Sequence, residues 1–244
     1  MSRVDQRWSS FGVSVTGPAH LASARPNQDA WSSFHHLWGD GVVVSDGLGS
    51  KRLSNFGSRA ACVAVERVAR KFSRATTRSD FSEWSDEIVR YWLDAVKPIN
   101  PRDAAATCLF AIRLHNGVIR VGILGDGCVA AVMVNGEVVV LQEDKNGGFS
   151  NMTVALDARV DARLWKVRDI PESDCRAVVL CTDGIADDLD NVSGFMREFV
   201  EVHCRLARSS AGRRVRKILE TWPVPKHSDD KSIACLYRSV SDNE

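Results

Sequence analysis

Three apolar runs in this chain stop in the same way. "GVVVSDG" (41–47), "VGILGDG" (121–127) and "VVLCTDG" (178–184) each end in a small residue, an aspartate and a glycine. An aspartate at the end of a buried strand is held rigidly at the rim of a sheet. The glycine after it lets the backbone turn so that its carbonyl can face outward as well. The ordinary use of Asp-Gly is a two-residue hairpin turn, which needs a second strand directly after it. That reading suits Asp126-Gly127, which "CVAAVMV" follows. It does not suit Asp46-Gly47 or Asp183-Gly184, which run into "LGSKRLSNFGSRAA" and "IADDLDNV". There the alternative is a hard divalent cation, because carboxylate and carbonyl oxygens are the ligands that Mg²⁺ and Mn²⁺ prefer. Carboxylates gathered at one rim repel each other, and cations cancel that repulsion. Asp29 in "RPNQDAW", at the start of a strand-like run, extends the set. So do Asp229 and Asp230 in "HSDDKSIACLY", just before the last strand.

The surrounding pattern is strands, two helices, strands, two helices and a strand. "FGVSVTG" (11–17) alternates, and "AWSSFHHLWG" (30–39) leads through Gly39-Asp40-Gly41, read as a hairpin turn, into "VVVSD". Residues 54–74 carry Ala61, Val65, Val68, Ala69 and Phe72 at helical spacing, with Ser54 and Asn55 as caps. A second helix fits 81–97, where Trp84, Ile88, Tyr91, Trp92 and Val96 form an apolar stripe that Pro98 closes. The segments 107–114, 117–126 and 128–142 read as an antiparallel meander turning at Asn116-Gly117, Asp126-Gly127 and Asn135-Gly136. A polar stretch at 143–165 reads as a loop or flap. A buried strand at 176–184, helices near 193–208 and 211–221, and a strand at 231–240 complete the order. This suits two antiparallel sheets with helix pairs outside them, not a parallel βαβ sheet. With 244 residues and 44% hydrophobic content the chain forms one domain over 1–244.

Composition narrows the function. The formal net charge of +1 gives no global pull toward nucleic acid or an anionic membrane. The basic run Arg205, Arg208, Arg213, Arg214, Arg216 and Lys217 reads as a solvated helix face. Seven cysteines, without a C-x-x-C pair, read as small buried hydrophobes in a reducing compartment. Without a signal-like or membrane-spanning apolar run, the expected location is cytoplasmic. His35 and His36 are neighbours on a strand, so they point to opposite faces and cannot chelate together. His227 lies near Asp229 in sequence and could orient it, although an exposed loop histidine is the plainer reading. "WPVP" (222–225) reads as a rigid connector.

Taken in order, "PNQD" (26–29), "SDGLG" (45–49), "TCL" (107–109), "GDG" (125–127), "TDG" (182–184) and "DDKS" (229–232) resemble the signatures of the metal-dependent protein phosphatases of the protein phosphatase 2C (PPM) family, in its bacterial-type branch. The agreement runs over about residues 10–238. The resemblance implies an α+β fold, a four-layer αββα sandwich with two central antiparallel sheets flanked by helix pairs. It implies hydrolysis of phosphoserine and phosphothreonine in proteins, by a bridging hydroxide at a binuclear Mn²⁺ or Mg²⁺ centre. Asp46 would bridge both ions, and the Gly47 carbonyl would bind one of them. Asp183 and Asp229 would complete the second, and Asp29 would contact the first. Asp126, with Asp183, would border a weaker third position that some members hold. Asn27, Gln28, Thr107 and Asp230 would support the ligands from behind. The implied partner is a phosphoprotein, the product of a Ser/Thr kinase. The 143–165 segment, by its place between "GDG" and "TDG", is the expected element that selects it.

The chain also departs from the family pattern. The phosphate-binding arginine is expected at Ala22 or Ala24, and Arg25 is the nearest candidate. Leu48 stands where some members carry a histidine, and it cannot donate a proton. Ser50 replaces a glycine, and Gln28 replaces a glutamate, which removes one charge beside the first ion. Two other readings stand beside this one, the first motivated by the displaced arginine. One is a pseudophosphatase acting as a regulatory binding module, and the other is a phosphatase for small phosphoesters.

Overall fold

The computed structural model describes residues 7–73, 80–142, 154–224 and 227–239. The chain order is β1 (Arg7–Val15), α1 (Pro18–Ala22), β2 (Ala30–His36), β3 (Gly39–Ser45), α2 (Ser54–Phe72), α3 (Phe81–Val96), β4 (Cys108–Leu114), β5 (Val118–Leu124), β6 (Cys128–Met133), β7 (Val138–Gln142), β8 (Lys166–Pro171), β9 (Cys175–Cys181), α4 (Asp183–Ala186), α5 (Val192–His203), α6 (Arg208–Glu220) and β10 (Lys231–Ser239). The strands form two five-stranded sheets, ordered β1-β10-β9-β6-β7 and β2-β3-β4-β5-β8. Every pairing is antiparallel.

Strand periodicity explains the four layers. On β3, Val42 and Val44 face the other sheet, while Val43 faces α2 and α3. On β4, Leu109 and Ala111 point into the sandwich, and Cys108, Phe110 and Ile112 point to the helices. Both faces are covered, so these strands read as continuous apolar runs rather than as alternating ones. The α2–α3 pair packs on one sheet through Ala61, Val65, Val68, Trp84, Ile88 and Trp92. The α5–α6 pair packs on the other through Met196, Phe199, Val200, Val215 and Leu219. The apolar stripe of α3 is core, as expected, with Trp84, Ile88, Trp92 and Val96 buried and Tyr91 at the margin.

Several local expectations are corrected. Asp126-Gly127 is not a hairpin turn. β5 pairs with β4 and β8, whereas β6 pairs with β7 and β9, so the chain crosses between sheets here. Gly125 and Gly127 make the crossing with φ of 90° and 114°, a conformation that L side chains rarely adopt. The β2–β3 turn lies at Leu37-Trp38, and Gly39-Asp40 already belongs to β3, with Gly39 paired to His36. Asp40 holds its place there by binding His35 and Arg113. Ser54 and Asn55 do not cap α2; they lie buried within its first turn after Leu53. The short α1, strand β8 and helix α4 are additions to the sequence reading.

The 143–165 segment links the edge strands β7 and β8, which lie in different sheets. Residues 143–153 of it fall outside the described residues. The remainder is largely irregular and anchored to the core. Leu156 is fully buried, its N–H donates to the Ala106 carbonyl at 2.8 Å, and Trp165 packs against Phe110 and Phe81. The seven cysteines are free thiols, all buried except the half-buried Cys204. Among the described residues, no helix is long and apolar enough to cross a membrane.

Candidate metal centre

Antiparallel pairing brings the acidic residues to one rim of the sandwich. Ala30 pairs with Ser45, so Asp29 before β2 and Asp46 after β3 leave their sheet side by side. Cys108 pairs with Leu124, which puts the Gly125–Gly127 crossing at the same end. In the other sheet Ile233 pairs with Cys181, so Asp183 and Asp229 emerge together.

Each carboxylate has its own support. Asp46 is clamped by Thr107, whose Oγ1 accepts the Asp46 N–H at 2.9 Å and whose N–H donates to the Asp46 carbonyl at 2.8 Å. Ser45 Oγ donates to the Thr107 carbonyl at 2.6 Å, and Thr107 itself is fully buried. Asp29 accepts from Thr182 Oγ1 at 3.0 Å, and its N–H donates to Asn27 Oδ1 at 2.9 Å. Asn27 Nδ2 donates to Ser14 Oγ at 2.8 Å. Gln28 Nε2 donates to Ser54 Oγ at 2.8 Å, and Gln28 Oε1 is a buried acceptor without a hydrogen-bond partner. Asp183 opens α4 and accepts the Gly184 N–H at 2.7 Å. Asp230 turns away from the rim. Its two oxygens accept the N–H groups of Gly17 and Gln28, each at 2.7 Å, and face His20 Nδ1 at 2.8 Å.

The electrostatics are those of crowded anions. Burial raises the Asp29 carboxyl to about 7, and the nearby Asp230 adds to the rise, while the hydrogen bond from Thr182 opposes it. Burial raises Asp46 well above the carboxylate range, and Asp29, Asp183 and Asp229 raise it further. Burial raises Asp183 to about 6, helped by Asp229, Asp187 and Asp126. Asp29, Asp46, Asp183 and Asp229 therefore feel one another directly or through Asp46, and Asp126 joins them through Asp183. Lys231, nearly inaccessible to solvent, donates from Nζ to the Asp229 carbonyl at 3.0 Å.

Among the described residues, no three His, Cys, Asp or Glu side chains close around one point as a ready-made metal cage. The donor set nevertheless fits a hard cation. It is made of oxygens alone and mutually repelling, from the buried Asp29 through the half-buried Asp46, Asp126 and Asp183 to the exposed Asp229, and a divalent ion would reverse the penalty that raises these carboxyls. Backbone approach at Gly47 is close enough that a β-carbon there would meet the Gln28 carbonyl and the Ser54 backbone at 2.7 Å. Only glycine leaves this corner open for a carbonyl ligand.

Arg25 stands exposed on the turn after α1, four positions before Asp29. His227 does not orient Asp229; its Nδ1 lies 2.6 Å from Asp188 Oδ2, an oxygen that also accepts from Trp222 Nε1 at 2.7 Å. His35 and His36 bind different partners, Asp40 and Glu66, as their opposite faces require. Thr182, Asp187, Lys231 and His20 escaped the sequence reading. Thr182 and Lys231 were visible inside "TDG" and "DDKS", whereas His20 gave no local signal.

A profile of the family described as protein phosphatase 2C matches residues 16–222. No curated protein matches the chain. Among solved structures, a bacterial serine phosphatase is similar with a TM-score of 0.67 and 13% identity over 98% of this chain and 100% of its own. RsbX in complex with magnesium gives a TM-score of 0.63 and 13% identity over 98% of each chain. The serine/threonine phosphatase Stp1 from Staphylococcus aureus gives 0.64 and 12% over 97% of each. At these identities the likeness is one of fold.

Proposed function

The chain belongs to the protein phosphatase 2C family, and from that premise we propose that it hydrolyses phosphoserine and phosphothreonine in proteins with two divalent cations, Mn²⁺ or Mg²⁺, held at the carboxylate rim. The observation that carries this reading is the placement of Asp46 beside Asp29 at the end of the β2–β3 pair, with Asp183 and Asp229 close enough to raise its carboxyl. A carboxylate so placed can serve two ions at once. The Gly47 carbonyl and Asp29 would complete one site, Asp183 and Asp229 the other, and Asp126 with Asp183 would border a weaker third. When bound, the cations would supply an activated water and neutralise phosphoryl oxygens in an in-line displacement.

The chain's own residues do the positioning. Thr107 fixes the Asp46 backbone and Thr182 orients the Asp29 carboxylate. Gln28 keeps the first site one charge less negative than a glutamate would. Leu48 offers no proton, so water or another group protonates the leaving oxygen. Arg25 is assigned to the substrate phosphate, because its charge stands on the loop that leads into Asp29. The partner is a phosphoprotein made by a Ser/Thr kinase, and the 143–165 connection selects it.

The test is hydrolysis of a phosphothreonine peptide with Mn²⁺, in parallel with p-nitrophenyl phosphate. Turnover that EDTA abolishes and that Asp46→Asn and Asp183→Asn reduce to background is expected. Undiminished activity in Asp46→Asn would overturn the proposal. A higher kcat/KM for small phosphoesters than for any phosphopeptide would move the substrate class while leaving the chemistry in place.

A further inference from the structure

Three contacts dock the short helix α1 on the segment that enters β10. Gly17 N–H donates to Asp230 Oδ1 at 2.7 Å, Ala19 N–H donates to the Ser228 carbonyl at 3.0 Å, and His20 Nδ1 lies 2.8 Å from Asp230 Oδ2. An ionised carboxylate can only accept, so His20 Nδ1 carries the proton. Asp230 is 2% exposed, and Oδ2 also takes the Gln28 N–H at 2.7 Å. One buried carboxylate therefore fixes both ends of the loop that runs from α1 to Asp29.

The other side of His20 reaches Arg25. The Arg25 N–H donates to the His20 carbonyl at 2.8 Å, and the Ala24 N–H donates to the Leu21 carbonyl at 3.3 Å. These are the paired bonds of a Schellman motif, with Ala24 at the position that glycine usually fills. Ala24 has φ of 51°, the one left-handed non-glycine among the described residues. For an L-residue that conformation costs roughly 1–2 kcal/mol. A turn strained in this way persists when its surroundings over-determine it. The surroundings here are explicit: Asp230 holds the His20 ring, and the His20 carbonyl holds the Arg25 amide.

We propose that His20 is a positioning residue for the substrate phosphate, acting through Arg25. The proposal rests on the assignment of Arg25 to the phosphate made above. His20 does not touch substrate. It transmits the fixed position of Asp230 to the start of the arginine's side chain, where a shift of about 1 Å can cost two orders of magnitude. A fastening role alone would lower stability and all kinetic constants together. A positioning role affects phosphate recognition selectively.

The experiment is steady-state kinetics at saturating Mn²⁺ on the full chain, with inorganic phosphate binding by calorimetry, for His20→Ala, His20→Asn, Arg25→Ala and the His20→Ala/Arg25→Ala double variant. We expect His20→Ala to raise KM and the phosphate dissociation constant by about tenfold, with the Mn²⁺ activation constant unchanged. His20→Asn should restore both, because its amide nitrogen occupies the Nδ1 position. The double variant should be no worse than Arg25→Ala. Should His20→Ala not fold, His20→Gln, whose amide nitrogen falls at the Nε2 position, replaces it in the comparison. The proposal is overturned if the two single effects multiply, if His20→Asn is as impaired as His20→Ala, or if Arg25→Ala leaves phosphate binding intact. A wild-type protein without turnover would defeat the phosphatase reading separately, since phosphate calorimetry would still report on His20.

Discussion

Thr182 donates its hydroxyl to the Asp29 carboxylate at 3.0 Å across a sequence separation of 153 residues. The same oxygen accepts the Ser232 N–H at 3.0 Å. One threonine thus ties the entry of β2 in one sheet to the exit of β9 and the start of β10 in the other. The two halves of the candidate centre are joined by this contact as well as by the core between the sheets.

Thr182→Val tests that tie. The substitution keeps the volume but strands the buried Ser232 N–H and frees the Asp29 carboxylate. A stability loss of about 1–3 kcal/mol is expected from the unsatisfied donor. Mn²⁺ affinity should fall by about 10–100-fold, as for other groups that orient a ligand from behind. Chemical denaturation and Mn²⁺ titration of activity measure the two effects. An unchanged Mn²⁺ affinity would remove Thr182 from the account of the centre.

The raised carboxyls predict a pH dependence with a definite sign. Asp29 titrates at about 7 and Asp183 at about 6 in the fold, against about 3.9 when unfolded. The folded state therefore favours the protonated forms. Their contribution to stability is complete below about pH 4 and is lost as pH rises through 6 to 7. In EDTA, Asp29→Asn should melt above wild type at pH 8, and the gap should close near pH 5. Bound Mn²⁺ must displace these protons, so its apparent affinity should climb between pH 5.5 and 7.5. A gap between wild type and Asp29→Asn that does not vary with pH would contradict the electrostatic picture.

Ala24→Gly tests the strained turn. Release of the left-handed conformation gains roughly 1–2 kcal/mol. The added freedom of the unfolded chain gives back about 0.4–1 kcal/mol. The variant should be more stable by on the order of 1 kcal/mol, with KM unchanged while His20 is present. Destabilisation in a thermal melt would show that the Ala24 methyl group makes contacts that outweigh the strain.

The sheets and long helices were legible because their apolar patterns are set by burial on known faces. Val42–Val44 and Trp84, Ile88 and Trp92 could not sit anywhere but in a core. The rim aspartates were legible because each follows or precedes an apolar run. The Asp126-Gly127 crossing was misread because a turn dipeptide does not encode whether the next strand stays in the same sheet. β8 was missed because "KVRDIP" is an edge strand with little burial, and α1 because it buries none of its residues. The His20–Asp230 pair joins positions 210 apart, and no local pattern announces such a contact.

The most direct measurement is anomalous diffraction from crystals of this protein grown with Mn²⁺. The account predicts two manganese peaks flanking the Asp46 carboxylate, one toward Asp29 and the Gly47 carbonyl and one toward Asp183 and Asp229. Manganese bound elsewhere, or a rim that stays free of it at concentrations supporting turnover, would contradict the account.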